Sequence, residues 1–292
     1  MCRHVQRNKG ESDASISAHD NTSATLQLAE SAGFIGRKTP RPLVGYNTCN
    51  ETQFSTDNAS RKYSLLALPF EKVDGKGLSL NDLNFSTFKA AISLANADQI
   101  LLWVLDPETK TYDYETWFRK SAGWYSAKST STTFDSVYQD GLPSGTVYWF
   151  APYPGKVAPD VTTSGAVPSD TQVVKTLYRN QYNFVSYPYP CPLQLNNAEQ
   201  VDWGNCTSAI SLANADQIMI WVYLESSEEY DYETYFKKSG GWYSAKSTSK
   251  KFEEIHPEGV KVGTGFWYKP KEKAGLSETF DITFKSPIVS AE

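Results

Sequence analysis

The chain has 292 residues, 40% hydrophobic and 21% charged, which is enough for two domains of ordinary size with cores of their own. No run of about 18 apolar residues is present to cross a membrane as a helix. A formal net charge of −5 leaves no basic footprint for general nucleic-acid binding.

Aromatics dominate the composition: 18 Tyr, 14 Phe and 8 Trp stand against 2 Met. Tyr and Trp favour pleated, half-buried surfaces, so the expected class is all-β.

Residues 1–40 are polar, rich in Ser, Asn, Thr and Lys, and without period, which predicts a disordered N-terminal tail. The opening residues are basic but lack the apolar core of a signal peptide. Beyond them the chain repeats itself. "AISLANADQI" at Ala91–Ile100 returns at Ala209–Ile218, 118 residues later. At the same offset "YDYET" at Tyr112–Thr116 returns at Tyr230–Thr234, and "GWYSAKST" at Gly123–Thr130 returns at Gly241–Thr248. "GTVYWF" at Gly145–Phe150 becomes "GTGFWY" at Gly263–Tyr268. A weaker match, "YSLLALPF" from Tyr63 against "YNFVSYPYP" from Tyr182, precedes these with one residue of slip. Self-similarity at a fixed period means one structural unit used twice, here module 1 over 41–167 and module 2 over 168–292.

Within module 1, Ser86–Asn96 is dense in Ala and Leu and predicts a short helical turn, as does Cys206–Asn214 in module 2. "QILLWV" at Gln99–Val104 is a continuous apolar run and predicts a fully buried strand, with Trp103 in the core. "LDPETK" follows as a turn. "TYDYETWF" alternates, with Tyr112, Tyr114 and Phe118 on one face and Asp113, Glu115 and Trp117 on the other. "KSAGWYSAK" adds a glycine turn and a third strand, and "GLPSGTVYWFAP" leads into another aromatic strand, whose Trp149 and its counterpart Trp267 are expected to plug their modules. "VTTSGAV" reads as the last strand of module 1 within the link over 162–176, and "FDITFKSPIV" as its counterpart in module 2. The expected architecture is two tandem, sequence-similar antiparallel modules, each a β-sandwich or a partly open barrel.

The search for chemistry is mostly one of exclusion. His4 and His19 lie in the tail, and His256 falls in a divergent turn whose module 1 counterpart is Tyr138, so no catalytic triad or histidine metal site is expected. No dinucleotide, phosphate-loop or hydrolase-elbow motif appears. The four cysteines (Cys2, Cys49, Cys191 and Cys206) form no CxxC pair, which argues against zinc. Cys191 and Cys206 are either a disulfide of an exported protein or two free thiols. Asp113 and Glu115, repeated as Asp231 and Glu233, have the two-residue spacing of an acid–base pair for a glycosidic bond, or belong to a solvated strand face beside Lys120 and Lys128. Asp98 and Asp216 either shape their turns or, with neighbouring carboxylates, ligate calcium; Leu224 in place of Asp106 in the second copy weakens the metal reading. No cofactor, metal or catalytic residue is assigned. Trp124 and Trp242 follow turn glycines, which places them at a rim with Tyr125 and Tyr243, or else in the packing. At a rim they would stack a sugar beside Asp113, Glu115, Asp231 and Glu233.

"KYSLLALPF … NADQILLWV … YDYETWF … GWYSAK … LPSGTVYWF" resembles an uncharacterised β-rich module repeated in bacterial exported and cell-envelope proteins, over about Lys62–Pro152 and Gln181–Lys269. The resemblance carries no catalytic residues and implies a surface or interaction role outside the cell, although no signal peptide stands in the sequence. The expected function is therefore a non-enzymatic structural or interaction protein of the cell surface, whose partner is a second copy of itself, a surface protein or a polysaccharide. A lectin-like protein with one carbohydrate site per module is the alternative, and a glycoside hydrolase comes third.

Overall fold

The computed structural model describes residues 13–16, 22–27, 44–49, 61, 63–106, 108–154, 160–224, 229–272 and 275–287. Among the described residues the fold is nearly all-β, in four antiparallel sheets that form two similar modules, and no barrel closes.

Two strands, β1 (Asp13–Ile16) and β2 (Thr22–Gln27), lie inside the stretch expected to be a tail. They form a hairpin whose second strand pairs with β3 (Val44–Cys49), so at those residues neighbouring backbone supplies the partners that a structureless chain would lack. The rest of 1–40 lies outside the described residues.

Module 1 continues with β4 (Ser64–Ala67), β5 (Asn84–Phe85), β6 (Gln99–Leu105), β7 (Tyr112–Lys120), β8 (Gly123–Ser126), the one-turn helix α1 (Phe134–Val137), β9 (Val147–Ala151) and β10 (Val161–Ala166). Module 2 repeats this with β11 (Gln172–Tyr178), β12 (Asn183–Ser186), β13 (Val201–Asp202), β14 (Gln217–Leu224), β15 (Glu229–Lys238), β16 (Gly241–Ser244), α2 (Phe252–Ile255), β17 (Gly265–Lys269) and β18 (Thr279–Lys285). The order β4-β9-β6-β7-β8 in one five-stranded sheet is matched by β12-β17-β14-β15-β16 in the other, and β3-β10-β5 by β11-β18-β13. The predicted helical turns shrink to single 3-10 turns at Leu94–Asn96 and Leu212–Asn214.

Each module buries a core between its two sheets. Ile100, Leu102, Tyr148 and Phe150 meet Val161 and Val167 in module 1, and Ile218, Ile220, Phe266 and Tyr268 meet Phe280, Ile282 and Phe284 in module 2. The alternate residues of the same strands make a third cluster. Leu65, Ala67, Val147 and Trp149 pack there with Phe184 and Trp267, flanked by Leu101, Trp103, Tyr114, Met219, Trp221 and Tyr232. The outer faces of the two five-stranded sheets are thus pressed together, and four sheets stack as layers. This corrects the placement of Trp103, Trp149 and Trp267, which fill the seam between modules and not the module cores. It also explains the run "QILLWV": β6 is covered on one face by its own module and on the other by its neighbour, so it does not alternate with polar residues.

The seam has an approximate two-fold relation. Trp103 Nε1 donates to Tyr182 O at 3.1 Å, and its counterpart Trp221 Nε1 donates to Tyr63 O at 2.8 Å. Trp149 Nε1 donates to Tyr114 OH at 3.1 Å, and Trp267 Nε1 to Tyr232 OH at 3.0 Å. Ala67 N donates to Gly263 O at 2.7 Å, while Ser186, in Ala67's place, donates through its hydroxyl to Gly145 O at 2.9 Å. Between them Val147 faces Gly265, residues that occupy the same position in the two copies.

Candidate functional site

The residues expected to form a sugar site do not come together on the surface. Trp124 and Trp242 are 1% and 0% exposed, so neither ring has a face free for a ligand, and of the two expected placements both take the packing one. Each follows a glycine with positive φ (147° at Gly123, 130° at Gly241) because an asparagine is folded over that glycine. Asn196 Oδ1 accepts from Trp242 N at 2.6 Å, and Asn81 Oδ1 lies 3.1 Å from where a Cβ on Gly123 would stand. The indoles then turn inward, Trp124 onto Phe85 and Trp242 onto Trp203, with Arg119 and Lys237 over their outer faces. Tyr125 and Tyr243 are half-buried, and each ring is capped by an ammonium: Lys120 at 4.4 Å and Lys238 at 4.7 Å.

Asp113 and Asp231 are exposed. Glu115 accepts from Tyr138 OH at 2.7 Å, which ties the middle of β7 to the residue that ends α1. In module 2 a histidine stands in the tyrosine's place: Glu233 meets His256 Nε2 at 2.6 Å and accepts from Tyr235 OH at 2.9 Å. The His256 bond, with a smaller part from Tyr235 and against an opposing effect of burial, holds the Glu233 carboxyl below its ordinary range. Its burial and its negative neighbour push the Tyr138 hydroxyl upward. The glutamates of the expected acid–base pair are therefore fastened to the ends of the short helices.

Asp98 and Asp216 are buried, and they hold loops. Asp98 accepts from Lys89 N and Tyr153 N, both at 2.6 Å. Asp216 accepts from Thr207 N at 2.9 Å, Lys271 N at 2.6 Å and Tyr268 OH at 2.7 Å. Burial raises the Asp216 carboxyl against the pull of these donors. Among the described residues no group of His, Cys, Asp or Glu is arranged to hold a metal ion. Cys191 and Cys206 are free thiols, the first buried and the second half-buried.

What the aspartates support is the exposed part of the repeated stretch. Residues 91–97 leave the end of β7, where Ala91 N donates to Arg119 O at 3.0 Å, and return to β6 through Asp98. Gln99 Nε2 bonds Leu94 O at 2.8 Å, Asn96 Nδ2 bonds Ser93 Oγ at 3.1 Å, and the Arg61 guanidinium reaches Ala95 O and Ala97 O at 2.8 and 2.7 Å. Module 2 repeats the first three with Ala209, Gln217 and Asn214. On this frame Ile92 is 92% exposed and Ile210 94%, and Leu94 and Leu212 are 37% each. Phe88 stands beside the first loop at 47%.

The two loops sit at opposite ends of the molecule. Trp103, near the end of β6, bonds Tyr182, which adjoins the start of β12; that start lies beside the Lys269–Gln217 pair, where β14 begins. The reciprocal bond of Trp221 to Tyr63 brings the end of β14 to the start of β6 in the same way. The two central strands therefore run antiparallel across the seam, and the loops that precede them face away from each other.

The chain matches no protein-family model, no curated protein and no solved structure.

Each end presents a hydrogen-bonded backbone loop tipped by an exposed isoleucine. The sequence showed these residues only as part of a turn. Their signal was an isoleucine and a leucine inside a Ser- and Asn-bearing turn, where neither strand nor helix period asks for them.

Proposed function

We propose that the protein is a non-enzymatic interaction protein that binds through two equivalent loops, residues 91–97 and 209–215, at opposite ends of one rigid body. The observation that carries this is the near-complete exposure of Ile92 and Ile210 in loops of identical sequence. A lone exposed apolar side chain is common on protein surfaces; here the same isoleucine recurs, with a partly exposed leucine two residues on, in a hydrogen-bonded loop of each module. Two such sites on one chain raise avidity for a repeating target without new contacts. The stretches "LDPETKT" and "YLESSEE" diverge between the two copies, so the duplication has not kept every segment alike. The resemblance to modules of exported proteins would put this activity at a cell surface. A sugar-stacking site built on Trp124 and Trp242 lacks the exposed ring that such binding needs, and a hydrolase built on Glu115 and Glu233 lacks a free carboxyl pair.

The test is retention on four immobilised surfaces: the protein itself, a polysaccharide mixture, zwitterionic lipid and anionic lipid. Wild type, Ile92→Ser, Ile210→Ser and the double variant are compared. The expected result is at least one surface that holds wild type well, each single variant weakly and the double variant not at all. Retention of the double variant equal to wild type on every surface that binds, or no retention of wild type anywhere, refutes the proposal.

A further inference from the structure

The strand β11 lies at the edge of its sheet, and its pairing with β18 fixes which way each backbone group points. Arg179 N donates to Glu278 O and Ser286 N to Thr171 O, both at 2.8 Å and both continuing the β11–β18 register by one residue. Bonded positions alternate along an antiparallel pair, so the odd residues from Thr171 to Arg179 face β18 and the even ones turn their N–H and C=O outward. At Tyr178 the outward groups are capped by a side chain: Tyr178 N donates to Asn183 Oδ1 at 2.9 Å, and Asn183 Nδ2 to Tyr178 O at 3.0 Å. Gln172, Val174 and Thr176 have no such cap, and their outward donors and acceptors meet no partner among the described residues. The matching strand of module 1, β3, is not left open, because β2 pairs with it antiparallel along its whole length. Val174, in the middle of the open stretch, is also 59% exposed.

We infer that β11 pairs antiparallel with β11 of a second copy about a two-fold axis at Val174, joining their two three-stranded sheets into one. This goes beyond the two-loop reading and uses a different surface, so either stands without the other. An open edge is a template for a further strand, and main-chain hydrogen bonds supply the affinity. The register centred on Val174 satisfies every open group: Gln172 exchanges bonds with the partner's Thr176, Thr176 with the partner's Gln172, and Val174 with its own counterpart. It also sets the two exposed Val174 side chains against each other, removing apolar surface from water. Sliding by two residues one way points Gln172 at the capped Tyr178 and puts Lys175 opposite the partner's Lys175. Sliding the other way carries Thr176 past the start of the partner strand, since β11 begins at Gln172. Lys175 is the only charged residue of β11 and shares its inner side with Val173 and Leu177, which pack on the core. An inward charge on an edge strand guards against indiscriminate pairing. In the Val174 register it lies opposite Val173, so no like charges meet.

The experiment is sedimentation equilibrium of the full chain over a range of concentrations, with hydrogen exchange of the peptide that spans β11. Wild type should be in monomer–dimer equilibrium, and exchange at Gln172, Val174 and Thr176 should slow as concentration rises. Val174→Pro removes the central outward N–H and no bond to β18, a change that edge strands tolerate, and should weaken dimerisation about tenfold or more. Val174→Lys keeps that N–H but sets two ammonium groups face to face at the axis, with the same expected loss. The Val174 side chain is more than half exposed, so thermal unfolding of Val174→Lys should match wild type and keeps the test decisive even if the proline variant does not fold. A monomer at every concentration up to about 1 mM, a dimer that persists in Val174→Lys, or oligomers larger than two overturn the proposal. A dimer lost in Ile92→Ser with Ile210→Ser but kept in the Val174 variants also overturns it, and supports the two loops instead.

Discussion

Where the two modules meet, one position is filled by a valine from one copy and left open by a glycine from the other, and this pair tests the packing of the seam directly. A Cβ on Gly265 would overlap Val147 Cγ1 and lie 3.1 Å from Cγ2 and 3.2 Å from Cβ. Val147 is 5% exposed and belongs to the seam cluster, so it has little room to retreat. Gly265→Ala has two opposing effects. Removing a glycine from a strand is worth about 0.5–1 kcal/mol in backbone entropy. Forcing a methyl into a packed contact costs about 1–3 kcal/mol. The clash wins, and a net loss of about 1 kcal/mol or more is expected. Val147→Ala alone removes two methyl groups at about 0.8 kcal/mol each, plus a small cavity term, for about 2 kcal/mol. Combined, the second change makes the space that the first one needs, so the double variant should be more stable than the sum of the singles by about 1 kcal/mol. Equilibrium denaturation by guanidinium, with the slope held constant across variants, reads all three values. A neutral or stabilising Gly265→Ala, or strict additivity with Val147→Ala, would refute the close fit of the modules.

Trp103→Phe and Trp221→Phe each remove an indole N–H that crosses the seam to a backbone carbonyl, and should each cost about 1 kcal/mol by the same denaturation measurement. Asp216→Asn leaves an amide nitrogen facing at least one of three donors. A loss of about 2–3 kcal/mol and a melting temperature several degrees lower are expected, with a smaller change disproving its role as a loop anchor. Glu233 is held below its ordinary value of 4.5, chiefly by His256. A carboxyl depressed by folding adds stability that is complete above that ordinary value and is lost as pH falls through the lower folded one. The stability advantage of wild type over Glu233→Gln should therefore shrink as pH drops below about 4.5, and an advantage that grows on acidification would contradict the pairing.

Much of the fold was legible because the repeat exposed its own boundaries. The strands "QILLWV" and "TYDYETWF", the asparagine–aspartate turn before β6 and the final strand "FDITFK" all lie where periodicity put them. The seam was not legible. A strand buried by its own module on both faces and one buried by two modules look the same as a string of apolar letters, which is why Trp103 and Trp149 were assigned to the wrong cluster. Trp124 was left between rim and packing for a different reason. Its preceding glycine suggested an exposed turn, but the positive φ at Gly123 serves close approach by Asn81, a contact distant in sequence. The short helices α1 and α2 offered one turn each and no period to detect. Ile92 and Ile210 were visible as letters, yet only solvent exposure, a property of the folded chain, gives them meaning.

The seam has one more consequence, for dilution. Two separate modules with these faces would associate according to their concentration and come apart when scarce. Joined by the few residues between Ala166 and Gln172, each face meets its counterpart at an effective concentration on the order of millimolar, however little protein is present. The spacing and opposition of the two loops are thereby properties of a single molecule, the same in a crowded compartment as in one where copies are rare.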